Sequence, residues 1–452
     1  MLIDFSVKNW CSFKDEYTFS MEASKERRFT DTIYKINKSS INNVLPLAAI
    51  FGYNASGKTS LYKAFQFIQN FISKTRMPDD LIPVIPFKFS DESKILPSEF
   101  CIRFIQDGVA YRYSFSVTEK EVLTEKLEIL TARSSVYIYE RTRNQAKFNE
   151  SFKFNNEKEK HVVQTLANII PLNTLFLTIC KIQKFSQFES IFSWFTKNLI
   201  LVNPRTKFLP IPPEKQVPQP SNRENVLSGM NNLLADLDTG ISFLDSDDIP
   251  VSSLNLPETV LSTIKAKLQK DVKNLKISLG YKDDIVICLR DGQLVTRRLI
   301  AVHKTKDGKN VKLHLNEESD GTYRIISLSP LLIDLLKGSD DAVIFVDEFD
   351  RSLHPLLTRR LVSLYLDSLK NNINNRKIQF IFTCHDTALL DQELMRRDEY
   401  WITMKNEFGE SSVKRISDVK KGLRLDQKLR DNYLNGEFGW KPNFDKTQNT
   451  LW

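Results

Sequence analysis

The 452-residue sequence is poor in several features, and each shortage narrows the field. It has no run of about 18 uncharged apolar residues, the length a membrane-crossing helix needs. Its longest apolar stretches, near Leu172 to Cys180 and Ala342 to Val346, are far shorter. The start Met1-Leu2-Ile3-Asp4-Phe5 lacks a basic leader and a small-residue cleavage site, so no secretory signal is expected and the cytoplasm is the default location, with no membrane partner. Five scattered cysteines (Cys11, Cys101, Cys180, Cys288, Cys384) form no C-x-x-C pair and have no histidine at zinc spacing, which reads as reduced thiols. No internal repeat, low-complexity tract or sustained heptad run occurs. Acidic residues fall short of basic ones, 56 against 64, leaving a net charge of +8. That modest excess keeps nucleic acid open as a partner without pointing to it.

Against these absences one stretch stands out. Gly52-Tyr53-Asn54-Ala55-Ser56-Gly57-Lys58-Thr59 fits the G-x-x-x-x-G-K-[ST] phosphate-loop pattern. It follows the apolar run Leu45 to Phe51 and opens a helical pattern with Leu61, Phe65, Ile68 and Ile72 on one face. Backbone N–H groups from Asn54 to Ser60 would surround an anion, aided by the helix N-terminus. Lys58 would reach the outer phosphates and the Thr59 hydroxyl would hold Mg²⁺.

A phosphate loop needs a carboxylate for the metal and a base for water. Ala342-Val343-Ile344-Phe345-Val346 reads as a strand buried on both faces of a parallel sheet, with Asp347-Glu348 emerging at its carboxyl end, where such sheets bind ligands. Asp347 is the candidate metal carboxylate and Glu348 the candidate general base. A second buried strand, Ile378 to Thr383, ends in Cys384-His385-Asp386, where His385 could sense the terminal phosphate and Cys384 reads as an inert thiol.

Elsewhere the pattern is coarser. Residues 1 to 21 alternate as a hairpin, Phe100 to Val117 as another around Asp107-Gly108, and strands continue to about Phe154. Met77 to Pro97 holds four prolines and reads as a crossing segment. From about Asn155 helical spacing takes over, interrupted by the proline-rich Asn203 to Asn222. A helix from Glu258 is expected to turn Leu261, Ile264, Leu268, Val272 and Leu275 inward, with lysines on its other faces. Strands resume from Asp283 to Leu315. Three segments follow: 1–154, carrying the phosphate loop and an N-terminal β subdomain; 155–282, a helical, proline-rich insertion; and 283–452, carrying the second half of the nucleotide site.

Together these motifs carry a resemblance. Met1 to Trp10 with Ser12-Phe13-Lys14, the phosphate loop, Glu317 to Thr322, Asp347 to Pro355, Thr383 to Asp386 and Tyr433 to Gly439 resemble the ABC-type AAA ATPases of the bacterial OLD and abortive-infection group. The resemblance implies an α/β fold, an ABC-ATPase head: a P-loop NTPase mixed sheet with an N-terminal antiparallel β subdomain and a mainly helical insertion. It implies ATP and Mg²⁺ as cofactors and a homodimer or higher homo-oligomer in which Ser319 and Gly321 of one copy cap the nucleotide of the other. Asp350 would link the two sites. The Glu-Ser-Asp-Gly-Thr segment is a reduced form of the Leu-Ser-Gly-Gly-Gln type. Relatives in the group that cut nucleic acid carry a further TOPRIM domain, which is not expected here. The expectation is therefore a separate effector protein, a nuclease or toxin, held by this ATPase in phage defence. The rival is an SMC-like DNA-binding ATPase, which would ordinarily carry a long coiled coil between its halves.

Overall fold

The structure is a computed structural model, and it describes all residues except 37–42, 132, 153, 208–220, 255, 271–273, 281, 291, 339, 371–375, 420–428 and 440–452. The chain divides into two units: Met1–Arg205 with Ser339–Asp350 and Leu366–Trp452, and Thr206–Gly338 with Arg351–Tyr365.

The first unit contains two sheets. One has six strands in the order Ser411–Arg415, Tyr400–Lys405, Leu47–Phe51, Ile378–Thr383, Ala342–Val346, Leu199–Val202. Its first pair is antiparallel and the other four pairings are parallel. The apolar runs read from the sequence lie at its centre, and all five residues of Leu47–Phe51 are buried, as strands covered on both faces must be. The other sheet is antiparallel, with seven strands in the order Tyr17–Ser20, Leu2–Lys8, Ser98–Gln106, Val109–Val117, Val122–Leu130, Ser135–Thr142, Gln145–Phe148. Both expected hairpins are present, with Phe5 opposite Phe19 and Ile105 opposite Ala110.

The phosphate-loop helix, Lys58–Ser73, lies between these sheets. Phe65 contacts Phe5 of the antiparallel sheet at 4.2 Å between ring centroids and Phe345 of the mixed sheet at 5.4 Å. Aromatic burial on this scale is worth about 2–3 kcal/mol per ring, so the helix start is fixed by packing on both faces. Gln379, buried in a central strand, is satisfied across the two sheets: its Nε2 donates to Leu2 O (2.9 Å) and Leu45 O (3.1 Å), and its Oε1 accepts from Leu2 N (2.5 Å). Buried Glu125 accepts from the hydroxyls of Tyr113 and Tyr139, both at 2.8 Å, and from Phe176 N (2.7 Å) and Leu177 N (3.1 Å). It thereby caps the start of the helix Phe176–Ile182 and joins it to the antiparallel sheet.

The second unit has its own antiparallel sheet, Ile241–Ile249, Gln293–Lys304, Asp283–Arg290, Asn274–Gly280, with Asn310–His314 also paired to Gln293–Lys304. Ile264 and Leu268 of the helix Glu258–Lys270 pack on Ile285 and Ile287.

Two expectations change here. The helix from Glu258 ends at Lys270, and Leu275 lies in the strand Asn274–Gly280; Val272 is outside the described residues. The β-branched and apolar spacing of Leu275 and Ile277 alternates, and pairing with Ile287 and Ile285 makes it a strand. Among the described residues of 155–282 both helices and strands occur, and the stretch contributes to both compact units. Leu199–Val202 completes the mixed sheet, and Asn274–Gly280 pairs with a strand beyond residue 282. Sheet pairing joins residues that composition had assigned to different segments. Most of the proline-rich Asn203 to Asn222 lies outside the described residues.

Candidate nucleotide site

The site is assembled at the carboxyl ends of three adjacent parallel strands of the first unit. From Leu47–Phe51 the chain enters the glycine loop. At Gly57 φ is 117°, and a Cβ there would sit 2.7 Å from Ser411 Oγ, so only glycine lets the loop close against the neighbouring strand. Ser56 Oγ bonds Thr403 Oγ1 at 2.6 Å, and Thr403 Oγ1 donates to Phe51 O at 3.2 Å. Ser60 is held at the other end by Ser12 Oγ (2.9 Å) and Trp10 Nε1 (3.0 Å, to Ser60 O). Asn54, Ala55 and Thr59 remain exposed, and Ala55 adopts a left-handed φ of 62°.

Lys58 is 5% exposed and curls over the loop, its Nζ donating to Gly52 O at 2.6 Å and Tyr53 O at 3.1 Å. Burial lowers its pKa to about 8, against the opposing influence of Asp347, Asp350, Cys384 and Glu348. Asp347 is 2% exposed, and burial pushes its carboxyl above the ordinary value although Thr383 and Thr59 hydrogen-bond it. Thr383 Oγ1 donates to Asp347 Oδ1 at 2.7 Å and accepts from Glu348 N at 2.7 Å, so one hydroxyl sets both carboxylate-bearing residues. Glu348 has φ 51°, an unfavourable conformation for a residue with a Cβ and one that clusters at functional sites.

Asp350 Oδ2 accepts from His385 N and Asp386 N, each at 2.9 Å, and so fixes the loop that follows Thr383. The His385 side chain is exposed, and desolvation followed by the Lys58 cation holds its imidazole below the ordinary value. Burial pushes the Cys384 thiol well up, which suits an inert core residue.

Lys58, Thr59, Asp347, Glu348, Asp350 and His385 are thus brought together within one unit. Ser319 and Gly321 belong to the second unit. There Ser319 caps the helix Asp320–Lys337, its Oγ accepting from Thr322 N at 3.1 Å. A Cβ on Gly321 would meet Ser352 O at 2.6 Å.

The donor set suits Mg²⁺ with a triphosphate. Thr59 and Asp347 are hard oxygen donors, and no cluster of three or more His, Cys, Asp or Glu able to hold a metal occurs among the described residues. A cation held by one or two protein oxygens, with phosphates and water completing its shell, is what Mg²⁺ prefers. Burial disfavours both the Lys58 ammonium and the Asp347 carboxylate, and a magnesium–polyphosphate would favour both charged forms, the anion the one and the dication the other.

Residues without a part in the sequence reading also shape the site. Thr383 had only a place at a strand end. Thr403 and Ser411 come from strands for which no pattern was read. Tyr433, known only from the resemblance, stacks on Tyr53 at 5.3 Å and 14°, with its hydroxyl in reach of the Gly52 backbone.

Comparisons with known proteins find a family model and solved structures similar to this chain. Residues 47–391 match the family model described as "AAA domain, putative AbiEii toxin, Type IV TA system". Among solved structures, an SMC head domain from Thermotoga maritima is similar at 10% identity with a TM-score of 0.33, covering 92% of this chain and 98% of that one. A search of curated proteins finds no match.

Proposed function

This chain belongs to that AAA-domain family, and from this premise we propose that it is a Mg²⁺-dependent ATPase of the ABC type whose copies assemble through their nucleotide sites to control a separate toxin or nuclease in antiphage defence. The observation that carries the ATPase reading is the meeting of the Lys58 loop with Asp347 and Glu348, tied by Thr383. When bound, Mg²⁺ would neutralise the phosphates and help stabilise charge developing on them. The chain's residues do the rest. Lys58 leaves the carbonyls of Gly52 and Tyr53 for the outer phosphates. Thr59 and Asp347 offer the metal ligands. Glu348, presented from its left-handed backbone, accepts a proton from water. His385, its backbone fixed through Asp350, offers a hydrogen bond to the terminal phosphate.

The assembly reading draws on the Ser319-Asp320-Gly321 helix start, which offers N–H donors and a positive helix end to a polyphosphate from a second copy. The effector reading draws on the family's printed description, "putative AbiEii toxin, Type IV TA system", which puts such domains in a toxin–antitoxin setting.

Two variants test the enzyme. Lys58→Ala is expected to abolish Mg²⁺–ATP binding in equilibrium dialysis. Glu348→Gln is expected to keep binding but lower steady-state hydrolysis by about a hundredfold, the scale of a lost general base. Unaltered hydrolysis by Glu348→Gln would remove that residue from the role.

A further inference from the structure

The start of the helix Asp320–Lys337 presents an electrostatic conflict. A helix N-terminus favours anions, yet Glu317, Glu318 and Asp320 crowd this one. Three carboxylates beside a polyphosphate would repel it. Each carboxylate, however, is tied. Glu317 Oε2 accepts from His314 N at 2.7 Å. Glu318 Oε1 bonds His303 Nε2 at 2.6 Å. Asp320 Oδ1 pairs with Lys282 Nζ at 2.7 Å.

Lys282 does more than pair. Its side chain is 6% exposed, its backbone is left-handed at φ 57°, and the same Nζ donates to Glu318 O at 2.6 Å. One buried ammonium therefore grips the chain on both sides of Ser319, through a carbonyl before it and a carboxylate after it. Asp320 keeps 59% of its side chain exposed at the helix start, and the buried Lys282 ammonium is paired with it there. The first turn is anchored further along by Tyr323, whose hydroxyl donates to Asp284 Oδ2 at 2.7 Å.

We propose that Lys282 is a positioning residue that makes the Ser319-Asp320-Gly321 helix start fit to receive polyphosphate, by neutralising Asp320 and holding the Glu318 carbonyl. The inference rests on the reading that this segment caps the nucleotide of a second copy. A salt bridge that merely stabilises the second unit predicts something different: loss of either partner would lower the melting temperature and affect every function through folding.

The experiment uses the full-length chain with Mg²⁺–ATP and four variants: Lys282→Met, Asp320→Asn, the double variant, and Ser319→Arg. Melting temperature, equilibrium ATP affinity, kcat and ATP-dependent mass are measured for each. Lys282→Met is expected to leave ATP affinity within about twofold, because the Lys58 site is untouched, and to lower kcat and ATP-dependent assembly about tenfold or more. Adding Asp320→Asn removes the uncompensated charge and is expected to recover most of that loss. Asp320→Asn alone is expected to lower kcat by about threefold at most, less than Lys282→Met does, a result that stays readable if Lys282→Met fails to fold. Unchanged turnover in Lys282→Met, no recovery in the double variant, or a loss of about tenfold or more in Asp320→Asn alone would overturn the inference. Ser319→Arg separates it from its parent: if this variant assembles and turns over normally, the capping reading itself is wrong.

Discussion

At the scale of single residues, the candidate site gathers groups whose protonation burial shifts from the ordinary range. Lys58 is the clearest case, its pKa lowered to about 8 by desolvation. A polyphosphate placed against it stabilises the ammonium and raises that value again. Above about pH 8 the free protein therefore holds Lys58 partly neutral, and binding must take up a proton. Calorimetry of ATP binding at pH 8.5 to 9 in buffers of different ionisation enthalpy is expected to show net proton uptake, with affinity falling as pH rises. Proton-neutral binding across that range would count against Lys58 as the phosphate ligand. Lys58, Asp347 and Glu348 were readable from the sequence because a glycine spacing and an apolar run mark where they stand. Thr383, which orients both carboxylate residues, was not, because a threonine at a strand end carries no signal until its neighbour strand is known.

At the scale of elements, the strand Tyr400–Lys405 matters as much as the motif-bearing ones, since its Thr403 supports the phosphate loop. The turn that delivers this strand is packed with charge. Arg396 makes two bonds to Asp398, at 2.9 and 2.8 Å, with both side chains fully buried, and Asp398 accepts from Ser24 N and Oγ at 2.7 Å. Glu399 beside them is 1% exposed, and burial raises its pKa to about 8. The folded chain thus keeps a proton there that the unfolded chain, with an ordinary value of 4.5, releases. Its contribution to stability is full below about pH 4.5 and is lost as pH rises towards about 8. Glu399→Gln removes this titration. Its melting temperature relative to the wild type is expected to rise steadily between pH 5 and 8, and a constant difference would show that Glu399 is ionised in the fold. No periodicity in the sequence announced this turn, because its buried polar residues look like a surface loop until their partners at Ser24 and Arg28 are in place.

At the scale of the whole molecule, what the sequence made legible was the motif-bearing strands, marked by their apolar runs, and two hairpins of the antiparallel sheet, which local alternation and turn residues specify. The grouping of the middle of the chain was not legible. Leu199–Val202 looks like any short apolar run, and only its parallel pairing with Ala342–Val346 shows that it extends the nucleotide-bearing sheet. The segment around Ser319 belongs to the second unit, while Lys58, Asp347 and Glu348 belong to the first. The account holds that a second copy of the chain supplies the cap over the nucleotide, so ATP should act as the link between copies. The most direct test is the solution mass of Glu348→Gln with Mg²⁺ in the presence and absence of ATP, with Lys58→Ala alongside. The account predicts that ATP at least doubles the mass of Glu348→Gln and leaves Lys58→Ala unchanged; an unaltered mass for Glu348→Gln carrying stoichiometric bound ATP would contradict it.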